Sequence, residues 1–230
     1  MSNNLFITIP KEIVVHCLKF LYFKDVINLE FVNHHFKDLI KSVKWDYLII
    51  IHNSPGTFIS SRYDPQKTIV TRYYDSLDFI TKKYGFSKIR LFNPEHELTN
   101  KIIKICNNYH TFDLYNCWTI TDDHLELLSM SNCRVLILSN CGKITDRGVS
   151  YLGNREFDEL DFSHCWRITD ASVKLLKCRK LILSSCYQVT DDGIMFLDKC
   201  RYLDITWCRN VTDDCIKLLK DKGIEIVHVR

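Results

Sequence analysis

Phe112-Asp113-Leu114-Tyr115-Asn116-Cys117 opens a unit that returns four more times along the chain. Three residues after the cysteine comes Ile120-Thr121-Asp122, followed by Leu125 and Leu128. The frame recurs as Leu136, Leu138, Cys141, Ile144-Thr145-Asp146, Val149 and Leu152, and again as Leu160, Phe162, Cys165, Ile168-Thr169-Asp170, Val173 and Leu176. It continues as Leu181, Leu183, Cys186, Val189-Thr190-Asp191, Ile194 and Leu197, and then as Leu203, Ile205, Cys208, Val211-Thr212-Asp213, Ile216 and Leu219. The frame cysteines step by 24, 24, 21 and 22 residues. Self-similarity at such a period means stacked supersecondary units.

Each unit changes rhythm partway through. Its L-x-L part alternates with period two, as a strand with one buried face does. After Thr-Asp, apolar residues fall three apart, on one helical face. The threonine is placed to cap the helix, and the aspartate to complement the positive end of its dipole. A second buried position precedes each strand by three residues: Tyr109, Cys133, Phe157, Cys178 and Cys200. One unit is too short to bury its own apolar face, so the units must stack, strand beside parallel strand. Strands are expected near 112–114, 136–138, 160–162, 181–183 and 203–205, each followed by a helix starting at its Thr-Asp pair. Ile89-Arg90-Leu91 with Leu98-Thr99-Asn100 and Ile103 fits as a degenerate earlier unit, with one inserted residue, and residues 224–229 as a closing strand.

The frame L-x-L-x-x-C-x-x-I-T-D-x-x-V-x-x-L resembles the cysteine-containing leucine-rich repeat of F-box substrate receptors. The N-terminal residues point the same way. Ile9-Pro10-Lys11-Glu12-Ile13 places proline at a helix start; Cys17, Leu18 and Leu21 extend an apolar stripe. Asp25 is placed to cap a second helix bearing Val26, Leu29 and Val32, and a third stretch holds Phe36, Leu39 and Ile40. This pattern resembles an F-box, although Ile9 stands for the family leucine, and Asn33 and Phe36 stand where Cys and Trp are common. The expected α/β architecture is a short leucine-rich-repeat solenoid, with parallel strands on the concave face and helices outside, preceded by a small three-helix F-box. Its divisions are 4–46 for the F-box, 47–88 for a linker and the start of the solenoid, and 89–230 for the repeats, clearest over 112–219.

Composition excludes several alternatives. The chain has 230 residues, 46% hydrophobic and 26% charged, as folded soluble proteins do. A net charge of +3 is too mild to point to nucleic acid. The longest apolar run, residues 47–51, is far short of a membrane helix. Eleven cysteines suggest disulfides at first, but the count is odd and the N-terminus lacks a signal sequence, so the expected location is the cytoplasm or nucleus. The cysteines form no close C-x-x-C pair, and the frame cysteines occupy one structural slot, so metal ligation is not expected. Cys215 is the repeat cysteine outside a frame slot. No Ser/His/Asp constellation or phosphate loop is present, so neither catalysis nor a cofactor is expected.

The positions between frame residues carry the candidate target surface. Asp113, Ile137, Asp161, Ile182 and Asp204 alternate along the strand ladder, with Tyr115, Ser139, Ser163, Ser184 and Thr206 two residues on. Around the frame cysteines stand Trp118, Trp166, Tyr187 and Trp207, aromatic residues of the kind that anchor interfaces, or that pack on neighbouring loops. The acidic positions would favour a basic partner. The F-box resemblance implies docking on a Skp-family adaptor, and through it a cullin/RING ligase, by Ile9, Pro10, Ile13, Leu18, Leu21, Asp25, Val26, Leu29 and Val32. The chain would then be a non-catalytic substrate receptor of an SCF-type ubiquitin ligase. The alternatives are a repeat protein outside any ligase, or a decoy that sequesters the adaptor.

Overall fold

The structure, a computed structural model, describes residues 38, 40, 44–52, 68–71, 85–92, 96–105, 107 and 109–229. The adaptor-face residues from Ile9 to Val32 lie outside the described residues.

Nine strands among the described residues form one parallel sheet. They are β1 (Lys44–His52), β2 (Thr68–Thr71), β3 (Gly85–Phe92), β4 (Thr111–Asp113), β5 (Val135–Ile137), β6 (Glu156–Asp161), β7 (Lys177–Ile182), β8 (Tyr202–Asp204) and β9 (Glu225–Val227). From β3 onward each strand pairs with the next in sequence, in strict register: Ile89 beside Phe112, then Leu136, Leu160, Leu181, Leu203 and Ile226. Every one of these up to Leu203 is fully buried. The helices are α1 (His96–Ile105), α2 (Asp122–Ser129), α3 (Asp146–Leu152), α4 (Asp170–Val173), α5 (Asp191–Ile194) and α6 (Asp213–Asp221).

The strands of the frame end one residue earlier than the L-x-L pattern implies. The second leucine still donates to the next strand, Leu114 N to Ile137 O at 2.8 Å and Leu138 N to Asp161 O at 2.7 Å, but the chain is already turning. The residue before each frame cysteine adopts a left-handed conformation, with φ between 58° and 63° at Asn116, Asn140, His164, Ser185 and Trp207. That turn carries the strand into the loop and buries the thiol. Helices α2 to α6 begin at the expected aspartates. In α4 and α5 they last only four residues, because their units are two or three residues shorter.

Within residues 47–88 the apolar run 47–51 lies in β1, which pairs on one side with β3 and on the other with β2. The order β2-β1-β3 means that the chain lays a strand beyond β1 before returning to start the regular stack. One expectation needs correction: in the degenerate unit, α1 begins three residues before Thr99, so Thr99 is a buried helix residue and not a cap.

Candidate functional site: the loop rim and the strand face

The loops that display the aromatic residues are held by two hydrogen-bond ladders. In the first, each frame thiol donates to a carbonyl of the preceding unit: Cys117 to Leu91 at 2.9 Å, Cys141 to Leu114 at 3.2 Å, Cys165 to Leu138 at 3.2 Å, Cys186 to Phe162 at 3.1 Å and Cys208 to Leu183 at 3.1 Å. Burial pushes the Cys165 thiol up to about 12 and that of Cys208 to about 11, so these side chains stay protonated donors. All nine cysteines among the described residues are free and buried. Among these residues no cluster of His, Cys, Asp and Glu is arranged to hold a metal.

The second ladder was hidden inside the Thr-Asp pairs. Each threonine caps its own helix, as Thr145 Oγ1 does by accepting from Arg147 N at 3.3 Å. From Thr145 onward its backbone N–H and hydroxyl also grip the aspartate of the preceding unit, whereas Thr121 N donates within its own unit to His124 Nδ1 at 3.1 Å. Thr145 donates to Asp122 at 2.9 and 2.7 Å, Thr169 to Asp146 at 2.8 and 2.7 Å, Thr190 to Asp170 at 2.8 and 2.6 Å, and Thr212 to Asp191 at 2.8 and 2.7 Å. The aspartates therefore join units as well as facing a helix dipole.

The residue three after each threonine sits over that carboxylate. Gly148 and Gly193 leave it room: a Cβ at either would come within 2.3 Å of Asp122 or Asp170 Oδ1. Ser172 fills the slot with a hydroxyl that donates to Asp146 Oδ1 at 2.5 Å. Burial would raise the Asp146 pKa, but the bonds from Ser172 and Thr169 outweigh it and hold the carboxyl below its ordinary value. Cys215 occupies the same slot. It is buried and hydrogen-bonded to Asp191, and desolvation, with the Asp191 charge beside it, pushes its thiol up to about 11. It therefore has a frame role of its own, contrary to the expectation from its spacing.

On this scaffold the aromatic residues stand out from the loops. Trp118 is 64% exposed, Trp166 54%, Tyr187 51% and Trp207 43%. Two of them, Trp118 and Trp166, are also held by contacts of their rings. Trp118 Nε1 donates to Asn116 Oδ1 at 2.7 Å, an oxygen that also accepts from Asn140 Nδ2 at 2.6 Å. The Trp166 indole lies over Gly142, whose Cβ would meet Nε1 at 3.2 Å, and the Arg167 guanidinium is 5.3 Å from its ring centroid. Trp166 thus packs one face on the neighbouring loop and keeps over half of the residue exposed.

The strand face is less acidic than its alternating aspartates suggest. Asp113 forms an ion pair with Arg90 at 3.1 Å, and its Oδ1 accepts from Tyr115 N at 3.1 Å. Asp161 accepts from Ser163 N at 2.8 Å and Oγ at 2.6 Å. Asp204 accepts from Thr206 N at 2.9 Å. Each carboxylate thus closes a local turn instead of pointing freely outward. Burial raises the pKa of Asp113, against the pull of Arg90, and that of Asp161, against its bonds to Ser163. Lys180 pairs with Glu159 at 2.9 Å and sits 5.5 Å from the Tyr202 ring centroid. The face therefore carries both signs. Arg90, 5.3 Å from the ring centroid of half-exposed Tyr115, belongs to it although the sequence did not single it out as a target contact. The signal for Arg90 was its place in the degenerate unit, in register with Asp113.

With this geometry in view, the comparisons with known proteins separate the chain into two parts. An F-box domain matches residues 6–47, and a Leucine Rich repeat matches residues 131–153. Among solved structures, the yeast complex of Rad7 and Elc1 contains a chain that is 14% identical, with 67% of this chain and 60% of that chain aligned at a TM-score of 0.40. The chain thus spans less than two thirds of that protein's length. No curated protein sequence matches the chain. The chain carries an F-box domain at 6–47 and, at 131–153, a leucine-rich repeat that lies within a solenoid with parallel strands on one face and helices outside.

Proposed function

We propose that the chain is the substrate-recognition subunit of an SCF-type ubiquitin ligase. The observation that carries this is the pairing of an F-box domain at 6–47 with a repeat solenoid whose loops hold exposed, immobilised aromatic residues. Pro10, Ile13, Leu18, Leu21 and Leu29 lie within the F-box and supply an apolar surface for a Skp-family adaptor. Trp118, Trp166, Tyr187 and Trp207 supply anchors for a target protein. Exposed aromatic side chains that are already ordered lose little entropy on binding, which suits them to a receptor.

The mechanism is proximity and not chemistry on this chain. Holding the target on the solenoid and the ligase on the F-box raises the local concentration of target lysines near the charged conjugating enzyme. The reading places the protein in the cytoplasm or nucleus, with no cofactor. Affinity purification of the full chain tests it. Skp-family adaptor and cullin should co-purify, and Pro10→Ala with Leu21→Ala should remove both while the repeats retain their circular dichroism. Adaptor without cullin would instead identify a sequestering decoy. Full recovery of both with the double variant would place the docking surface elsewhere.

A further inference from the structure

The loop rim lies at the C-terminal ends of the parallel strands. The opposite edge, where helices turn into strands, carries a different chemistry. A cleft of about 470 Å³ opens there, lined by five cationic side chains, Arg134, Lys177, Arg179, Lys199 and Arg201, against the carboxylates of Glu156 and Asp198. The repeat sets this arrangement. Arg134, Asp158, Arg179 and Arg201 each follow the second buried position of their unit, so they occupy successive rungs. Backbone bonds tie the rungs: Asp158 N to Arg134 O at 2.7 Å, and Arg201 N to Arg179 O at 2.7 Å.

Not all of that charge is neutralised internally. Arg134 pairs with Asp158 at 3.4 Å, and Lys199 pairs with Glu156. Lys177, Arg179 and Arg201 are exposed and make no ion pair among the described residues. Arg179 and Arg201 stand on adjacent rungs, whose backbones lie about 4.8 Å apart by strand spacing, and guanidinium groups present paired donors to carboxylates.

A second cleft, of about 560 Å³, adjoins the first and shares Lys177, Asp198 and Lys199 with it. Its character is apolar. Leu175 and Phe196, 42% and 62% exposed, stand in it at equivalent positions of successive units. Large side chains exposed side by side next to unneutralised cations are unusual on a surface that meets only water.

We propose that this edge of the solenoid binds an extended acidic peptide segment of a partner protein, with an apolar side chain flanked by carboxylates. The carboxylates meet Arg179, Arg201 and Lys177, and the apolar side chain covers Leu175 and Phe196. Clefts of this size accept a few side chains and not a folded domain. The apolar half distinguishes the occupant from nucleic acid, whose backbone would use the cations alone. This surface is separate from the aromatic rim, and the proposal stands or falls independently of adaptor docking.

The test is fluorescence anisotropy on the full chain with a labelled Glu-Glu-Phe-Glu-Glu peptide. Comparison probes are Glu-Glu-Ser-Glu-Glu, Lys-Lys-Phe-Lys-Lys and oligothymidine. Saturable binding of the first probe is expected, and it should weaken as salt shortens the screening length. Arg179→Glu with Arg201→Glu should weaken it about tenfold or more, since charge reversal replaces attraction with repulsion. Phe196→Ser should weaken it roughly three- to tenfold, as should the serine probe. Lys220→Glu, on exposed surface of α6, should leave it unchanged. Should the charge reversal disturb the circular dichroism, Arg179→Gln with Arg201→Gln takes its place. Absent saturation, undiminished binding to the arginine variants, or equal binding of oligothymidine would each overturn the proposal. Adaptor co-purification, measured in parallel, reports on the F-box alone.

Discussion

Replacing Asp146 with Ala would cut one rung of the aspartate ladder, and the structure allows its cost to be worked out. Asp146 accepts three hydrogen bonds from the next unit: Thr169 N at 2.8 Å, Thr169 Oγ1 at 2.7 Å and Ser172 Oγ at 2.5 Å. Bonds to a charged acceptor contribute about 1.5–3 kcal/mol each when buried. Asp146 is only partly buried, so water can replace part of what is lost. The expected cost is about 2–4 kcal/mol, and it falls on the junction between α3 and α4. In urea, with an m-value of about 2–3 kcal/mol/M, the midpoint should fall by roughly 1 M. Hydrogen exchange should show the opening concentrated in the units flanking the lost rung, because a solenoid is held by nearest-neighbour interfaces. The effect also has a pH signature. The folded Asp146 pKa lies below its unfolded value, so its contribution is full above the unfolded pKa, about 3.9, and is lost as pH falls through the lower folded value. The gap between wild type and Asp146→Ala should therefore hold from neutral pH down to about 4 and narrow below it. A midpoint shift under about 0.2 M at neutral pH, or a gap that widens in acid, would refute the ladder as a stabilising device.

Gly148→Ala should cost about 1–3 kcal/mol in the same denaturation experiment, because its Cβ would lie 2.9 Å from the Asp122 Cα, which is backbone and cannot swing aside. Gly142→Ala meets only the exposed Trp166 indole and should cost under about 1 kcal/mol. Trp207 holds a left-handed φ of 63°, so Trp207→Asn should raise stability by about 1 kcal/mol while reducing target capture. In maleimide labelling at pH 8 the native frame thiols should stay unmodified until denaturant is added, with burial holding Cys165 near 12; rapid labelling of Cys165 in the native state would contradict that.

Much of this architecture was legible because the frame residues bury themselves at fixed intervals. The cysteine, the two strand leucines and the second buried position at Tyr109, Cys133, Phe157, Cys178 and Cys200 repeat in chemistry as well as in spacing. The aspartate ladder was not legible, since Thr and Asp are adjacent in sequence and read naturally as one helix cap. The true partner of Asp122 is Thr145, in the next unit. The slot above each aspartate holds Gly148, Ser172, Gly193 and Cys215, four residues whose shared position is disguised by their different chemistry. Strands β1 and β2 escaped because neither carries the frame. At the candidate site, Trp118 and Trp166 were found by their place beside frame cysteines. The internal pairing of Asp113 with Arg90 could not be seen without knowing that the degenerate unit stands in register with the regular ones.

The two ladders have a shared direction. Thiols and threonine hydroxyls always donate towards the earlier unit, and carbonyls and carboxylates always wait for the later one. Every junction is therefore interchangeable with its neighbours. Removing the 24 residues from Gly142 to Cys165 would bring Thr169 onto Asp122 in place of Asp146, with the same donors meeting the same acceptors. A gene that loses or duplicates one whole unit keeps a matched stack, and the two units shorter by two or three residues keep both ladders by shortening their helices. The number of units, and with it the span of the surface shown to a partner, can thus change in whole steps over evolutionary time without any new side chain being invented.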